Sequence, residues 1–305
     1  MRLALASVVL LVVTVAPSVA QYETQLTTYA WNHKHPAWCG ASIVFQRDRF
    51  GTYDIYGVNQ GNGSTEWFQT TDQATTEQRP SWSGDCQFVY FQMKENAGVN
   101  NGIYQVTYSN PLAPILLAVG NGDHRAPDWG ANGILLHSDR QSGGTTDDIV
   151  RMSLGGESQG WWYLTTNPAD DQWPDWSPDG SLVAFSSDRG GNFDIWVMHA
   201  PGEADSVRQL TNDPANEIDP AWSPNGRWIA FSRQLQGIFA VDVTTGVEVQ
   251  ITNGVTDGEP CWSPDGHTLA FSREGANWQI WKTTNVPASA PIESLSWGRI
   301  KAIYR

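Results

Sequence analysis

Short apolar runs, five or so residues long, alternate along most of this chain with polar segments that carry glycine. The sharpest are LVAFS at 182, WIAFS at 228 and TLAFS at 268. Their β-branched and aromatic content favours strands. No stretch places apolar residues 3.6 apart over a useful length, so the pattern predicts essentially no helix. One segment stands outside the alternation: residues 3–15 form an apolar run behind Arg2, followed by Pro17, Ser18 and Ala20. A positive start, a short apolar stretch and a small-residue cleavage site read as a signal peptide over 1–20, with the mature chain starting at Gln21. No cysteine follows the run to suggest a lipoprotein, and no later membrane span is predicted.

The alternation is periodic at a longer scale. A P-x-W tripeptide recurs six times, centring repeats on Trp38, Trp82, Trp129, Trp176, Trp222 and Trp262, spaced 44, 47, 47, 46 and 40 residues apart. Three copies continue as W-S-P-[DN]-G; the others are degenerate, as WCGAS, WSGDC and WGANG. A second landmark keeps the phase: Ile55-Tyr56, Ile103-Tyr104, Ile149-Val150, Ile195-Trp196, Ile238-Phe239 and Ile280-Trp281. A third closes each unit, at Phe68-Gln69, Leu116, Leu164-Thr165, Leu210-Thr211, Ile251-Thr252 and Leu295-Ser296. Within each unit, a strand runs into the tryptophan and a Pro-Asp-Gly turn follows. Three more strands then complete the unit. Four strands every 40–47 residues, with one large aromatic per unit to pack neighbouring sheets, predict an all-β propeller.

The segment WSPDGSLVAFSSDRGGNFDIWVM, with RQLTND after it, resembles the repeat of TolB-type propellers. The same repeat occurs in propellers attached to prolyl-oligopeptidase-like peptidases and in oligogalacturonate lyases. The resemblance is sharp over 171–284 and looser, but in phase, over 33–170. It implies a single propeller domain over 21–305 with a central channel, six-bladed by the count of repeats. Gln25-Leu26-Thr27 precedes Pro36 by the interval that separates Gln209-Leu210-Thr211 from Pro220, so it is a spare outermost strand able to close a ring. Leu295-Ser296 competes for that slot, and a tail beginning a rudimentary seventh blade is the rival arrangement.

Charge and cysteine content narrow the setting. The formal net charge of −14 becomes −15 once Arg2 is removed, which disfavours a nucleic-acid partner. Cys39, Cys86 and Cys261 are an odd count for an oxidising compartment, so one disulfide and one free thiol are expected. Cys39 follows its tryptophan and Cys86 replaces the turn glycine of the next repeat, which predicts Cys39–Cys86; Cys39–Cys261 is the rival. Asn62 heads a sequon and is a glycosylation site if the host is eukaryotic.

Candidate chemistry is sparse. GESQG at 156–160 matches a nucleophile-elbow pattern, but it falls in a loop with no helix after it, so Ser158 is not assigned a catalytic role. Asp48-Arg49, Asp139-Arg140 and Asp188-Arg189 share one repeat position and read as turn-capping pairs. Three residues before each proline stand His33, Glu77, His124, Asp171, Glu217 and Asp257, with Asp219 and Glu259 close by. They begin the innermost strands and are expected to ring one mouth of the channel as a ligand-binding set. Two imidazoles among four carboxylates have the chemistry for a divalent metal, although no cofactor is required.

These features predict a secreted or periplasmic, monomeric, non-catalytic module that binds a protein, peptide or glycan through its channel face. The alternative is a metal-dependent polysaccharide lyase or hydrolase acting at the channel mouth. Neither the hydrolase domain of the peptidases nor the N-terminal α/β domain of TolB is expected within these 305 residues, of which only about 15 of the expected mature chain precede Pro36.

Overall fold

The computed structural model describes residues 23–49, 51–59, 66–70, 75–95, 102–118, 123–130, 134–140, 146–153, 161–200 and 206–287. The segment 1–20, Asn62, the motif at 156–160 and Leu295-Ser296 lie outside the described residues.

The chain forms an all-β propeller, and the described residues contain no α-helix. Among the described residues, twenty-four strands make four-stranded antiparallel sheets, one per repeat. The first sheet comprises β2 (His33–Cys39), β3 (Ser42–Arg49), β4 (Thr52–Asn59) and β5 (Glu66–Gln69). The second runs β6 (Thr75–Trp82), β7 (Phe88–Glu95), β8 (Gly102–Thr107) and β9 (Asn110–Ala118), and the third β10 (Asp123–Trp129), β11 (Ile134–Arg140), β12 (Asp147–Ser153) and β13 (Trp161–Tyr163). The fourth holds β14 (Asp171–Trp176), β15 (Leu182–Ser187), β16 (Asp194–His199) and β17 (Arg208–Gln209). The fifth is β18 (Glu217–Trp222), β19 (Trp228–Arg233), β20 (Gly237–Asp242) and β21 (Glu248–Gln250). The last sheet is built from both ends of the domain: β22 (Gly258–Trp262), β23 (Leu269–Glu274) and β24 (Trp278–Thr283), with β1 (Glu23–Gln25) on its outer edge.

Each landmark of the repeat has a structural role. In the W-S-P-D-G turn, Ser177 Oγ accepts Leu182 N–H at 2.9 Å and donates to Asp179 at 2.7 Å, while Gly180 takes φ +69°. The degenerate second repeat keeps this turn with Cys86 in the glycine slot at φ +59°. That placement brings it to Cys39, and the two form a disulfide with Cα atoms 5.8 Å apart. Cys261 is the free thiol, which removes the Cys39–Cys261 rival.

The P-x-W tryptophans pack between sheets. Trp82 joins Val44 and Ile55 of the first sheet, Trp222 joins Ala184 and Ile195 of the fourth, and Trp262 joins Ala230 and Ile238 of the fifth. Trp38 packs on Ala270 and Ile280 of the last sheet, so the series of packed sheets closes on itself. Phe45, Phe91, Phe185, Phe231 and Phe271, in the second strand of every sheet but the third, are fully buried.

The third landmark is a threonine cap. Ile195, Ile238 and Ile149 donate their N–H groups to Thr211, Thr252 and Thr165 hydroxyls at 2.9–3.1 Å. In the first sheet the cap is Thr70, accepting from Ile55 at 3.0 Å, one residue beyond the expected Phe68-Gln69 pair. In the last sheet it is Thr27, accepting from Ile280 at 2.9 Å. Leu26 and Thr27 therefore fill the slot contested by Leu295 and Ser296.

Candidate functional site

In a strand, side chains stand roughly perpendicular to the sheet. The sheets radiate from a common axis, so residues of the innermost strands point at neighbouring sheets and not into the channel. This corrects the expected mouth ring. His33, Glu77, His124, Asp171, Glu217 and Asp257 are all buried, 0–4% exposed, and none lines the channel cavity.

Their partners lie within and between the sheets. Arg189 donates to both oxygens of Asp171 at 2.8 Å, Arg233 Nε to Glu217 at 2.6 Å, and Arg273 to Asp257 at 2.5 and 2.7 Å. The same guanidinium groups lie over aromatic rings, Arg189 over Trp196, Arg233 over Phe239 and Arg273 over Trp281, at 4.1–5.0 Å. Arg189 is thus the half-buried partner of a buried carboxylate, beyond the turn-capping expected of it; Asp48 does cap its turn, accepting Gly51 N–H at 3.2 Å. His33 meets Phe45 edge-on at 5.2 Å. Glu77 accepts the Thr70 hydroxyl.

What does reach the axis is set by a bulge. In every innermost strand the register slips just before the P-x-W proline, at Lys34/Ala37, Gln78/Ser81, Arg125/Asp128, Gln172/Asp175, Ile218/Ala221 and Gly258/Cys261. The residue preceding the proline takes a left-handed φ of +50° to +56°: His35, Arg79, Ala126, Trp173, Asp219 and Glu259. Such a residue leaves the pleat and re-aims its side chain. Its N–H loses a ladder partner and is recaptured by the preceding sheet: Arg79 N–H by Gln46 at 3.0 Å, Ala126 N–H by Gln92 at 2.9 Å, Glu259 N–H by Ser232 at 3.0 Å.

These six side chains line one end of an axial cavity of about 400 Å³. His35 Nε2 lies 3.1 Å from Glu259, and Arg79 reaches from the second sheet to Asp219 of the fifth at 3.7 Å. Burial lowers the His35 pKa well below the usual imidazole value, helped by the charges of Arg79 and Lys34, so the ring is neutral. Burial pushes Asp219 up to about 6, against the opposing charge of Arg79.

A second layer comes from the x of P-x-W. Asp128 accepts Trp176 N–H at 3.0 Å and Asp175 accepts Trp222 N–H at 2.5 Å, each reaching the next sheet. Burial raises Asp128 to about 6 and Asp175 well above the carboxylate range, Asp128's charge adding to the latter. The Cys261 thiol, raised to about 12 by burial, donates to the Trp262 carbonyl at 3.7 Å. Among the described residues no three His, Cys, Asp or Glu side chains converge as metal ligands.

The pre-proline positions are visible in the sequence as the residue before each P-x-W. Only the bulge, which no side-chain pattern announces, makes them the axial set. Asp219 and Glu259 stand beside the expected ring, whereas sequence reasoning misses Arg79, Ala126 and Trp173.

An all-β ring with a polar axial cavity and repeated P-x-W bulges defines a β-propeller. The chain belongs to the TolB β-propeller domain family, whose model matches residues 113–293. No curated protein matches it. Among solved structures it is similar to a putative TolB from Agrobacterium tumefaciens, at 18% identity and a TM-score of 0.66, covering 86% of this chain and 93% of that one. A gluconolactonase from Xanthomonas campestris gives 14% identity and 0.66, covering 87% and 89%. An oligogalacturonate lyase in complex with manganese gives 12% and 0.60, covering 87% and 93%.

Proposed function

We propose that this chain is an exported, monomeric, non-catalytic propeller of six blades, a single domain over 21–305, that binds a protein or peptide through the channel mouth. The observation that carries the reading is the bulge repeated in every innermost strand, which turns six side chains toward one open polar cavity. Of the acids lining it, Asp128 and Asp175 are engaged in capping tryptophan N–H groups of the next sheet. Export by the segment at 1–20 agrees with the Cys39–Cys86 disulfide, which needs an oxidising compartment to persist. Among the described residues no helix is long and apolar enough to cross a membrane.

The test is to select peptides from a random display library on the native protein, then measure their binding to Ala126→Trp. Trp173 occupies the same repeat position with the same backbone conformation, so tryptophan fits at 126 and fills the mouth. Selected peptides are expected to lose at least about tenfold in affinity, with an unchanged melting temperature. Unchanged binding would remove the channel mouth from the reading. Release of unsaturated product from an oligogalacturonide with Mn²⁺ present would replace it with the lyase alternative.

A further inference from the structure

The cavity wall carries the carboxylates of Asp128, Asp219 and Glu259, and Asp175, whose burial disfavours its charge, against one guanidinium, that of Arg79, and the neutral His35. Lys34 is engaged elsewhere, its Nζ 3.7 Å from the centroid of the Trp278 ring. The wall therefore favours positive charge.

Arg79 already occupies that preference, and it does so loosely. Its guanidinium stands 3.7 Å from Asp219 and 6.0 Å from the Trp173 ring centroid, with its side chain 27% exposed. Arg189, Arg233 and Arg273 hold their carboxylates at 2.5–2.8 Å. A 3.7 Å contact is too long for a hydrogen bond, so this pair has charge attraction without the directional contact. The backbone of Arg79 is fixed by its bond to Gln46, which leaves the side chain as the movable part. On the neighbouring third sheet Ala126 leaves space, and the Arg79 guanidinium stands within reach of both the Trp173 ring and the Asp219 carboxylate, which line the same cavity.

A carboxylate next to an aromatic face is a receptor for a guanidinium or ammonium group. Resting on the proposed channel-mouth reading, we propose that the partner inserts a cationic side chain between Asp219 and Trp173. Arg79 is the internal stand-in that the ligand displaces. The site then selects for charge, and the arginine of the second sheet sets its threshold.

The experiment is calorimetric titration of the mature full-length protein with the amides of N-acetyl-arginine, N-acetyl-lysine and N-acetyl-glutamine. Variants Arg79→Ala and Arg79→Gln, the second keeping most of the side-chain bulk, are titrated alongside, each first shown to melt as the parent does. Both are expected to bind the arginine or lysine amide at least about tenfold tighter than the parent, the scale of one charge-assisted contact, with glutamine amide unchanged. The cation that gains more identifies the preferred group. Adding Asp219→Asn to Arg79→Ala is expected to abolish the gain. No gain in either variant, or a gain that survives Asp219→Asn, overturns the proposal. An equal gain for glutamine amide overturns charge selection yet leaves the channel a binding site. The Ala126→Trp result separates that case from failure of the channel reading itself.

Discussion

Glu77 shows how one residue can depart from its repeat. In the fourth, fifth and last sheets the acid at this position faces an arginine, but Glu77 is paired in register with Met93. Burial pushes its carboxyl up to about 7; hydrogen bonds from Thr70 and Thr75 oppose the shift and the charge of Asp54 adds to it. The folded chain therefore holds this proton more tightly than the unfolded chain does. The stability it contributes is full below about pH 4.5 and is lost as pH rises through about 7. Glu77→Gln, which mimics the protonated form, is expected to be more stable than the parent at about pH 8, by on the order of 2 kcal/mol, and equal to it near pH 4. Urea unfolding at the two pH values checks this; parallel pH profiles for variant and parent would refute the assignment.

At the scale of the strand, two devices hold each blade. The pre-proline bulge costs a ladder hydrogen bond and places a Cβ in the left-handed region, and the side chain of the preceding sheet offsets the first cost. The threonine cap ties the outermost strand to the third, where the strand itself is as short as Arg208–Gln209. Thr211 is 2% exposed and its hydroxyl accepts Ile195 N–H, so Thr211→Val keeps the shape and leaves a buried donor unpaired. A loss of about 1–3 kcal/mol is expected from denaturant titration. A change under about 0.3 kcal/mol would mean that the short β16–β17 pairing does not depend on the cap.

For the whole molecule, the decisive contact joins residues about 250 apart. β1 pairs with β24 through Glu23–Thr283, Thr24–Lys282 and Gln25–Trp281, and Glu23 meets Arg273 at 2.6 Å. Leu26, 4% exposed, packs in the cluster that holds Trp38 and Ile280, at the junction of the first and last sheets. Leu26→Ala is expected to cost about 2–4 kcal/mol, as for a core leucine, although it lies beyond the end of a three-residue edge strand. A cost near that of a surface site, under about 0.5 kcal/mol, would show that ring closure adds little to stability.

The repeat itself was legible because three landmarks recur in phase, and each corresponds to a local structural role, as a turn, an inter-sheet tryptophan or an outer-strand cap. The Cys39–Cys86 pairing followed from the same phase, since equivalent turns of adjacent repeats bring those positions together. The spare strand at Leu26 was legible as well, because its spacing to Pro36 matches that of Leu210 to Pro220. The site was not. Phase says that His33, Glu77, His124, Asp171, Glu217 and Asp257 are equivalent, but it does not say which way a side chain faces. That depends on the sheets standing radially, which sends regular strand residues into the inter-sheet core, and on a bulge whose left-handed residue turns toward the axis. The sequence alone determined the repeat, its turns and its closure, because these depend on local chemistry and spacing. The tertiary structure alone decided that Arg79, Trp173 and Asp219, from three different repeats, share one cavity, because only the packing of blades around an axis brings them together.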